Sequence, residues 1–214
     1  MTPMLVPSLI ETVRVIGGTA PLWTLHVRRL AESCRATGVP LPLTLLAPGG
    51  ADRVVRLEVG LRGVTETTRA PGSTAPVRLA TARTVHAAYP HKTTERAVFE
   101  RAAAEAREAG ADDALLLTHG GEVAEASIWS VFWWESGRVC APPYAVGVLR
   151  GVARLRLDEL TGGVLERRLR PAALAAHGAF VANAARGVVP IGALDGATVP
   201  LDAATADLQQ RFWP

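Results

Sequence analysis

The sequence predicts an α+β protein built from two units. Three observations carry this. Its 214 residues suffice for one large domain or two small ones with a real core. Nearly half of them are apolar and a fifth charged, as in an ordinary globular chain. Strand-like runs are joined mostly by hairpin turns instead of alternating strictly with helices, which argues against a doubly wound nucleotide fold.

Leu9 to Ile16 reads as a strand closed by the Gly17-Gly18 turn. A helix follows over Leu22 to Cys34, beginning near Thr24, with Leu22, Leu25, Leu30 and Ala31 apolar and Gly38 with Pro40 ending it. Arg53 to Leu61 alternates as a strand. Pro76 to Ala80 reads as another, and Pro71-Gly72-Ser73 marks the loop between them. Residues 1–85 are therefore expected to form a small N-terminal α+β domain, 86–92 a connector and 93–214 a larger domain. The larger domain opens on a helix over Thr94 to Ala109, with Thr93 or Thr94 as cap and Gly110 as stop. Asp113 to Thr118, Glu122 to Glu125 and Ile128 to Trp134 read as strands about the His119-Gly120-Gly121 turn, and Ser136-Gly137 leads into a strand from Arg138 to Ala141. Gly151 to Leu160 is amphipathic and helical, stopped by Gly162-Gly163. Val164 to Leu169, Leu174 to Ala176 and Ala179 to Ala182 close a βαβ-like sequence.

Several function classes fall away. There is no GxxxxGK[ST] loop, GxGxxG turn, GxSxG elbow or HExxH helix. The five histidines, His26, His86, His91, His119 and His177, lack metal-ligand spacing, so no metal site is expected. The net charge is only +3 and no basic run is interleaved with aromatics, so neither nucleic acid nor membrane is expected as a partner. Cys34 and Cys140 lie far apart and read as buried small residues of a reducing compartment. Met1 to Pro7 lacks the basic start and apolar run of a secretory signal, so a cytoplasmic protein is expected.

One residue stands out. Lys92 is the only lysine, while the other 22 basic residues are arginine. Arginine substitutes for lysine wherever charge or a solvated stem suffices, but it stays protonated, so it cannot act as a neutral amine. Composition thus nominates Lys92 as a covalent nucleophile or proton acceptor.

The ordered strings His91-Lys92-Thr93-Thr94-Glu95-Arg96, Gly121-Glu122-Val123-Ala124-Glu125, Gly147-Val148-Leu149-Arg150-Gly151-Val152-Ala153-Arg154 and Ala182-Asn183-Ala184-Ala185-Arg186-Gly187 then resemble a known family. So do Leu9-Ile10-Glu11-Thr12-Val13-Arg14 and Leu25-His26-Val27-Arg28-Arg29-Leu30. Together they resemble the class IV (branched-chain/D-amino-acid type) aminotransferases, which bind pyridoxal 5′-phosphate, and within them the aminodeoxychorismate lyase branch. The resemblance spans roughly residues 8 to 192. It implies a small N-terminal domain and a larger barrel-like one, commonly paired as a homodimer with the site near the subunit interface.

The resemblance also implies roles. Lys92 is the Schiff-base lysine and proton shuttle. Glu125 faces the pyridine nitrogen, and Arg29 binds the phosphate with the backbone N–H groups of Val152 and Ala153 at a helix start. Asn183 and Ala184 complete the cofactor contacts. The implied reaction converts 4-amino-4-deoxychorismate to 4-aminobenzoate and pyruvate, as in folate synthesis. Arg14 and Arg186 are candidates for its two carboxylates, because arginine recognises carboxylates bidentately. Transamination of a D- or branched-chain amino acid, and binding of the cofactor without turnover, are the alternatives. The chain departs from the branched-chain enzymes at Ala97, Ser130 and Ala153, where they carry tyrosine, asparagine and threonine.

Overall fold

The computed structural model describes residues 7–214; the Met1–Val6 part of the stretch read for a signal lies outside the described residues. The first unit is a three-stranded antiparallel sheet covered by one helix. It comprises β1 (Leu9–Val15), α1 (Trp23–Thr37), β2 (Arg53–Gly60) and β3 (Gly63–Arg69), in strand order β1-β2-β3. Strand period decides its faces. Leu9, Val13 and Val15 with Val55, Leu57 and Val59 are buried with α1 or the turns beside it. The alternate residues, Thr12, Arg14, Arg56, Thr67 and Arg69, share the other face.

The rest of the chain supplies β4 (Val77–Thr81), α2 (Ala97–Glu108), β5 (Asp113–Leu117), β6 (Val123–Ala126), β7 (Ser130–Glu135), β8 (Arg138–Ala141), α3 (Val152–Thr161) and β9 (Leu165–Glu166). It continues with α4 (Pro171–Leu174), β10 (Ala179–Asn183), β11 (Gly187–Leu194), β12 (Ala197–Thr198) and α5 (Ala203–Arg211). The strands form one mixed sheet in the order β6-β5-β4-β11-β10-β7-β8-β9, with β12 beside β11. β4 pairs in parallel with β5 and β11, so the two sheets part between Arg69 and Val77.

This large sheet must curl. Five strand spacings of ~4.8 Å separate β6 from β7 along the sheet, about 24 Å if it were flat. Yet only Ser127–Trp129 join them in the chain, and Ala126 N–H donates to Trp129 O at 2.9 Å. Strands β6 to β7 therefore bend into a barrel-like wall. Val131 and Trp133 point into one core with Leu115, Val181 and Ile191, while Phe132 points into the other with Phe180, Leu157 and Phe212 under α3 and α5. α2 lays Phe99, Ala102 and Ala106 on β5.

Four features differ from the sequence expectation. α2 starts at Ala97, not Thr94, and has no side-chain cap. Residues 92–94 are instead extended along β1: Ile10 N–H donates to Lys92 O and Thr94 N–H to Ser8 O, so this stretch cannot enter a helix. β3 was not anticipated; its polar Gly-Val-Thr-Glu-Thr-Thr-Arg run is exposed on an edge and lacks an apolar stripe. β11 was hidden by Pro190 and Gly192, residues unfavourable in a central strand. A register shift between Ile191 and Ala193 accommodates them. The expected strand from Val164 to Leu169 shortens to two residues, and the segment before β10 is the short helix α4.

Candidate active site

A cavity of about 230 Å³ lies between the two sheets. One wall is the uncovered face of the small sheet, carrying Thr12, Arg56, Thr67 and Arg69. The opposite wall is the large sheet and the start of α3. Lys92 stands between them.

Lys92 is fixed by its backbone. Its carbonyl accepts from Ile10 of β1, and a bridge pairs Thr93 with Leu9. The Tyr89 hydroxyl accepts from Thr93 N–H and donates to Thr93 O, both at 2.6 Å. The amine thus projects from a pinned extended segment. Its pKa is lowered from 10.5 to about 7, first by burial, then by the charges of Arg29 and Arg96, against the opposing pull of Glu11 and Glu125. A large part of it is therefore a neutral nucleophile at neutral pH.

Glu125 on β6 is buried. Its Oε1 lies 2.8 Å from His86 Nε2 and accepts from Leu149 N–H at 3.3 Å. No described group donates to its Oε2, and the residue lines the cavity. Arg29, on the buried side of α1, gives Nε and Nη2 to the two oxygens of Glu11 at 2.9 and 2.5 Å. Its Nη1 has no described protein partner, and it too reaches the cavity.

Val152 and Ala153 open α3 after Gly151, whose extended backbone turns the chain into the helix. Their N–H groups have no preceding helical carbonyl to reach, and no side chain caps them. They point a partly positive helix start at the cavity. Gly151 fits because a Cβ there would stand 2.9 Å from the Ser130 hydroxyl. Ser130, where branched-chain enzymes have asparagine, lines the cavity beside this turn.

Asn183 and Ala184 also line the cavity, but the Asn183 side chain is engaged. Its Oδ1 accepts from Ala185 and Arg186 N–H, and its Nδ2 donates to Ile128 O. It shapes the turn. Arg14 and Arg186 do not line the cavity. Arg14 lies on the same sheet face one row beyond Thr12 and approaches Asp52 at 3.5 Å. Arg186 stacks on Trp129, 5.1 Å from the ring centre, with Gly72 packed so closely that a Cβ would fall 2.3 Å from Arg186 Nε. Ala97 is the exposed first residue of α2 and is absent from the wall.

The structure adds residues that the motifs did not single out. Arg96 donates to Ser127 O at 2.6 Å, lies over the Phe99 ring and adds charge near Lys92. His86 holds Glu125, and Arg56 and Arg69 arm the small-sheet wall. Arg96 and Tyr89 flank Lys92 in sequence, which was a signal; Arg69 needed β3 to be recognised first. Altogether four arginines, Arg29, Arg56, Arg69 and Arg96, line the cavity with Lys92 against one carboxylate, Glu125.

Comparisons with known proteins find relatives of this fold. The family model for class IV amino-transferases matches residues 63–194. A hypothetical aminotransferase of Mycobacterium tuberculosis, solved in a PLP-bound form, superposes with a TM-score of 0.84 at 20% identity, covering 97% of this chain and 89% of that one. A provisional 4-amino-4-deoxychorismate lyase of Legionella pneumophila gives 0.83 at 21% identity over 99% and 96%. The branched-chain amino acid aminotransferase of Escherichia coli gives 0.81 at 18% identity over 96% and 84%. At these identities the superpositions speak for the fold alone. No curated protein matches the chain.

Proposed function

Because this chain belongs to the class IV amino-transferase family of pyridoxal-phosphate enzymes, we propose that it is the lyase of that fold, releasing pyruvate from 4-amino-4-deoxychorismate and leaving 4-aminobenzoate. The cofactor's needs match what the cavity offers. A phosphate fits the uncapped start of α3 at Val152 and Ala153, with Arg29 Nη1 at hand. An aldehyde fits the neutral amine of Lys92. A protonated pyridine nitrogen fits the free Oε2 of Glu125, held in place through His86. Bound pyridoxal phosphate supplies an aldehyde for the substrate amine and an electron-withdrawing ring that stabilises negative charge beside it.

The chain's residues do the rest. Lys92 would hold the aldehyde of the bound cofactor and give it up to the substrate amine. It then takes the ring proton at the amine-bearing carbon. The ring's bond to the enolpyruvyl oxygen would break as the ring becomes aromatic, and the enolpyruvate set free would take up a proton at its methylene carbon to become pyruvate. Burial, then the charges of Arg29 and Arg96, keep a large part of Lys92 neutral for this step. Glu125 holds the pyridinium proton.

The observation that carries the lyase reading is the surplus of positive charge. Once Lys92 and Arg29 serve the cofactor, Arg69 remains on the facing wall without a carboxylate partner among the described residues, beside Arg56, which Glu58 holds, and with Arg186 nearby. An apolar branched-chain substrate brings a single carboxylate to these groups, whereas a substrate with two carboxylates gives a partner to more of them.

The test is to incubate purified, cofactor-loaded protein with aminodeoxychorismate and follow 4-aminobenzoate and pyruvate together. Equal amounts of both, lost in Lys92→Ala, support the lyase. Absence of both, with an amino donor converting the cofactor to its aminated form, moves the assignment to transamination.

A further inference from the structure

We infer that Arg69 on β3, flanked by Arg56 and the Thr67 hydroxyl, is the receptor for a substrate carboxylate and selects doubly acidic ligands; the substrate's identity, though not its acidity, rests on the lyase reading above. The sheet geometry places these groups together. Because α1 covers one face of the small sheet, the alternate positions face the cavity. Thr12, Arg56 and Thr67 form one register row across β1, β2 and β3, and Arg14, Val54 and Arg69 the next row on that face. Arg56, Thr67 and Arg69 all reach the cavity wall.

The cations of that wall differ in what already holds them. Arg29 is clasped by Glu11. Arg56 gives Nε and Nη2 to Glu58 Oε1. Arg96 is engaged with Ser127 O and the Phe99 ring. Lys92 is the reacting amine. Arg69 has only one described hydrogen bond, from Nη1 to Ala70 O at 3.2 Å, and no carboxylate within ion-pair distance among the described residues. Glu66, its acidic neighbour on β3, alternates to the opposite face. Arg186, pinned on Trp129 and Gly72, adds positive charge nearby; burial and then Arg69 push its own pKa down. An unpaired guanidinium beside a hydroxyl donor is suited to bidentate capture of a carboxylate. It stands across the cavity from the α3 turn, so an anion there and the cofactor phosphate do not compete.

The test uses equilibrium binding, which is independent of turnover. Isothermal titration calorimetry compares benzene-1,3-dicarboxylate with benzoate on the cofactor-loaded protein and its Arg69→Ala, Arg69→Lys and Arg62→Ala variants. Arg62 is an exposed arginine of the β2–β3 turn and controls for net charge. Arg69 is itself exposed, so its replacement is compatible with folding, which an unchanged Tm verifies. The wild type is expected to prefer the dicarboxylate by roughly tenfold or more, the scale of one charge-assisted pair. Arg69→Ala is expected to abolish the preference, Arg69→Lys to keep part of it, and Arg62→Ala to keep it whole. No preference in the wild type, a preference that survives Arg69→Ala, or equal loss in Arg62→Ala overturns the assignment. An Arg69-dependent preference in a protein that makes no 4-aminobenzoate leaves the receptor standing and removes only the lyase reaction.

Discussion

Two buried glutamates, Glu11 on β1 and Glu125 on β6, each face a histidine nitrogen, at 2.6 and 2.8 Å. They differ in what remains free. Both oxygens of Glu11 are taken, by Arg29 Nε, Arg29 Nη2 and His26 Nδ1. Burial lowers the pKa of His26, so the ring is neutral and its Nδ1–H must be the donor. Glu125 has one oxygen engaged and the other open to the cavity. A buried carboxylate saturated by the chain positions its neighbours; one left half-satisfied is waiting for a ligand. The small sheet thus uses its buried acid to aim Arg29, while the large sheet leaves one oxygen of its own open to the cavity, where we propose that it meets the cofactor.

The largest effect expected from this contrast lies in turnover. Glu125→Gln keeps a hydrogen-bond acceptor for His86 but cannot hold a proton on the pyridine nitrogen. Turnover should fall by about 10²–10⁴-fold, while stability changes by less than about 1 kcal/mol. Steady-state kinetics and denaturant unfolding measure both; near-normal turnover would show that Glu125 is structural like Glu11.

Glu11 should behave the opposite way. Glu11→Ala strands the Arg29 charge in a buried site and should cost about 3–5 kcal/mol of stability. Its pH signature is equally specific. Burial alone would raise the Glu11 pKa, but the charge of Arg29 and the His26 hydrogen bond outweigh it and bring it from 4.5 to about 2. Between those values the unfolded chain holds more protons than the fold. The Glu11 contribution is therefore complete above about 4.5 and is lost as pH falls towards 2, on the order of 3 kcal/mol in all. Urea titrations across that range should show this loss in the wild type and not in Glu11→Gln. Parallel curves for the two proteins would refute the assignment.

Lys92 lies between these two sites and can be read directly, because it is the only lysine. In the cofactor-free protein, its acylation followed by mass spectrometry should reach half its maximal rate near pH 7. Arg96→Gln removes one of the charges that depress the amine and should move the midpoint upward. A wild-type midpoint near the ordinary 10.5 would contradict a neutral amine at physiological pH.

Much of this was legible in the sequence. The lone lysine, the ordered strings around Glu125 and Gly151, and Arg29 on α1 pointed to the residues that meet at the cavity. The strands with alternating apolar residues were legible for the same reason that they are buried. What escaped notice lacked a one-dimensional trace. β3 is an exposed polar edge, so its threonines and Arg69 read as a solvated loop although they form a wall. β11 carries Pro190 and Gly192 in a central position that only its bulge explains. The start of α2 was misplaced because Thr93 resembles a helix cap, whereas its backbone is held by Leu9, distant in the chain, and by the hydroxyl of Tyr89 just before it. Arginines cannot be ranked from sequence when only their partners separate them: Glu11 binds Arg29, Glu58 binds Arg56, and Arg69 stays free.

The smallest effect tests the same rule on a neutral side chain. Asn183 borders the cavity, yet its amide is saturated by Ala185, Arg186 and Ile128. If saturation marks a positioning role, Asn183→Ala should act chiefly on the turn. It should cost about 1–2 kcal/mol from the released N–H groups, with cofactor affinity changed less than about tenfold. Arg29→Ala, which removes a group with a free nitrogen, should weaken the cofactor more than Asn183→Ala does. Fluorescence titration with pyridoxal phosphate, read beside thermal unfolding, separates the two. A larger affinity loss in Asn183→Ala than in Arg29→Ala would mean that the Asn183 amide leaves its turn to meet the ligand, and the distinction between closed and open polar groups would fail where the two walls of the cavity meet.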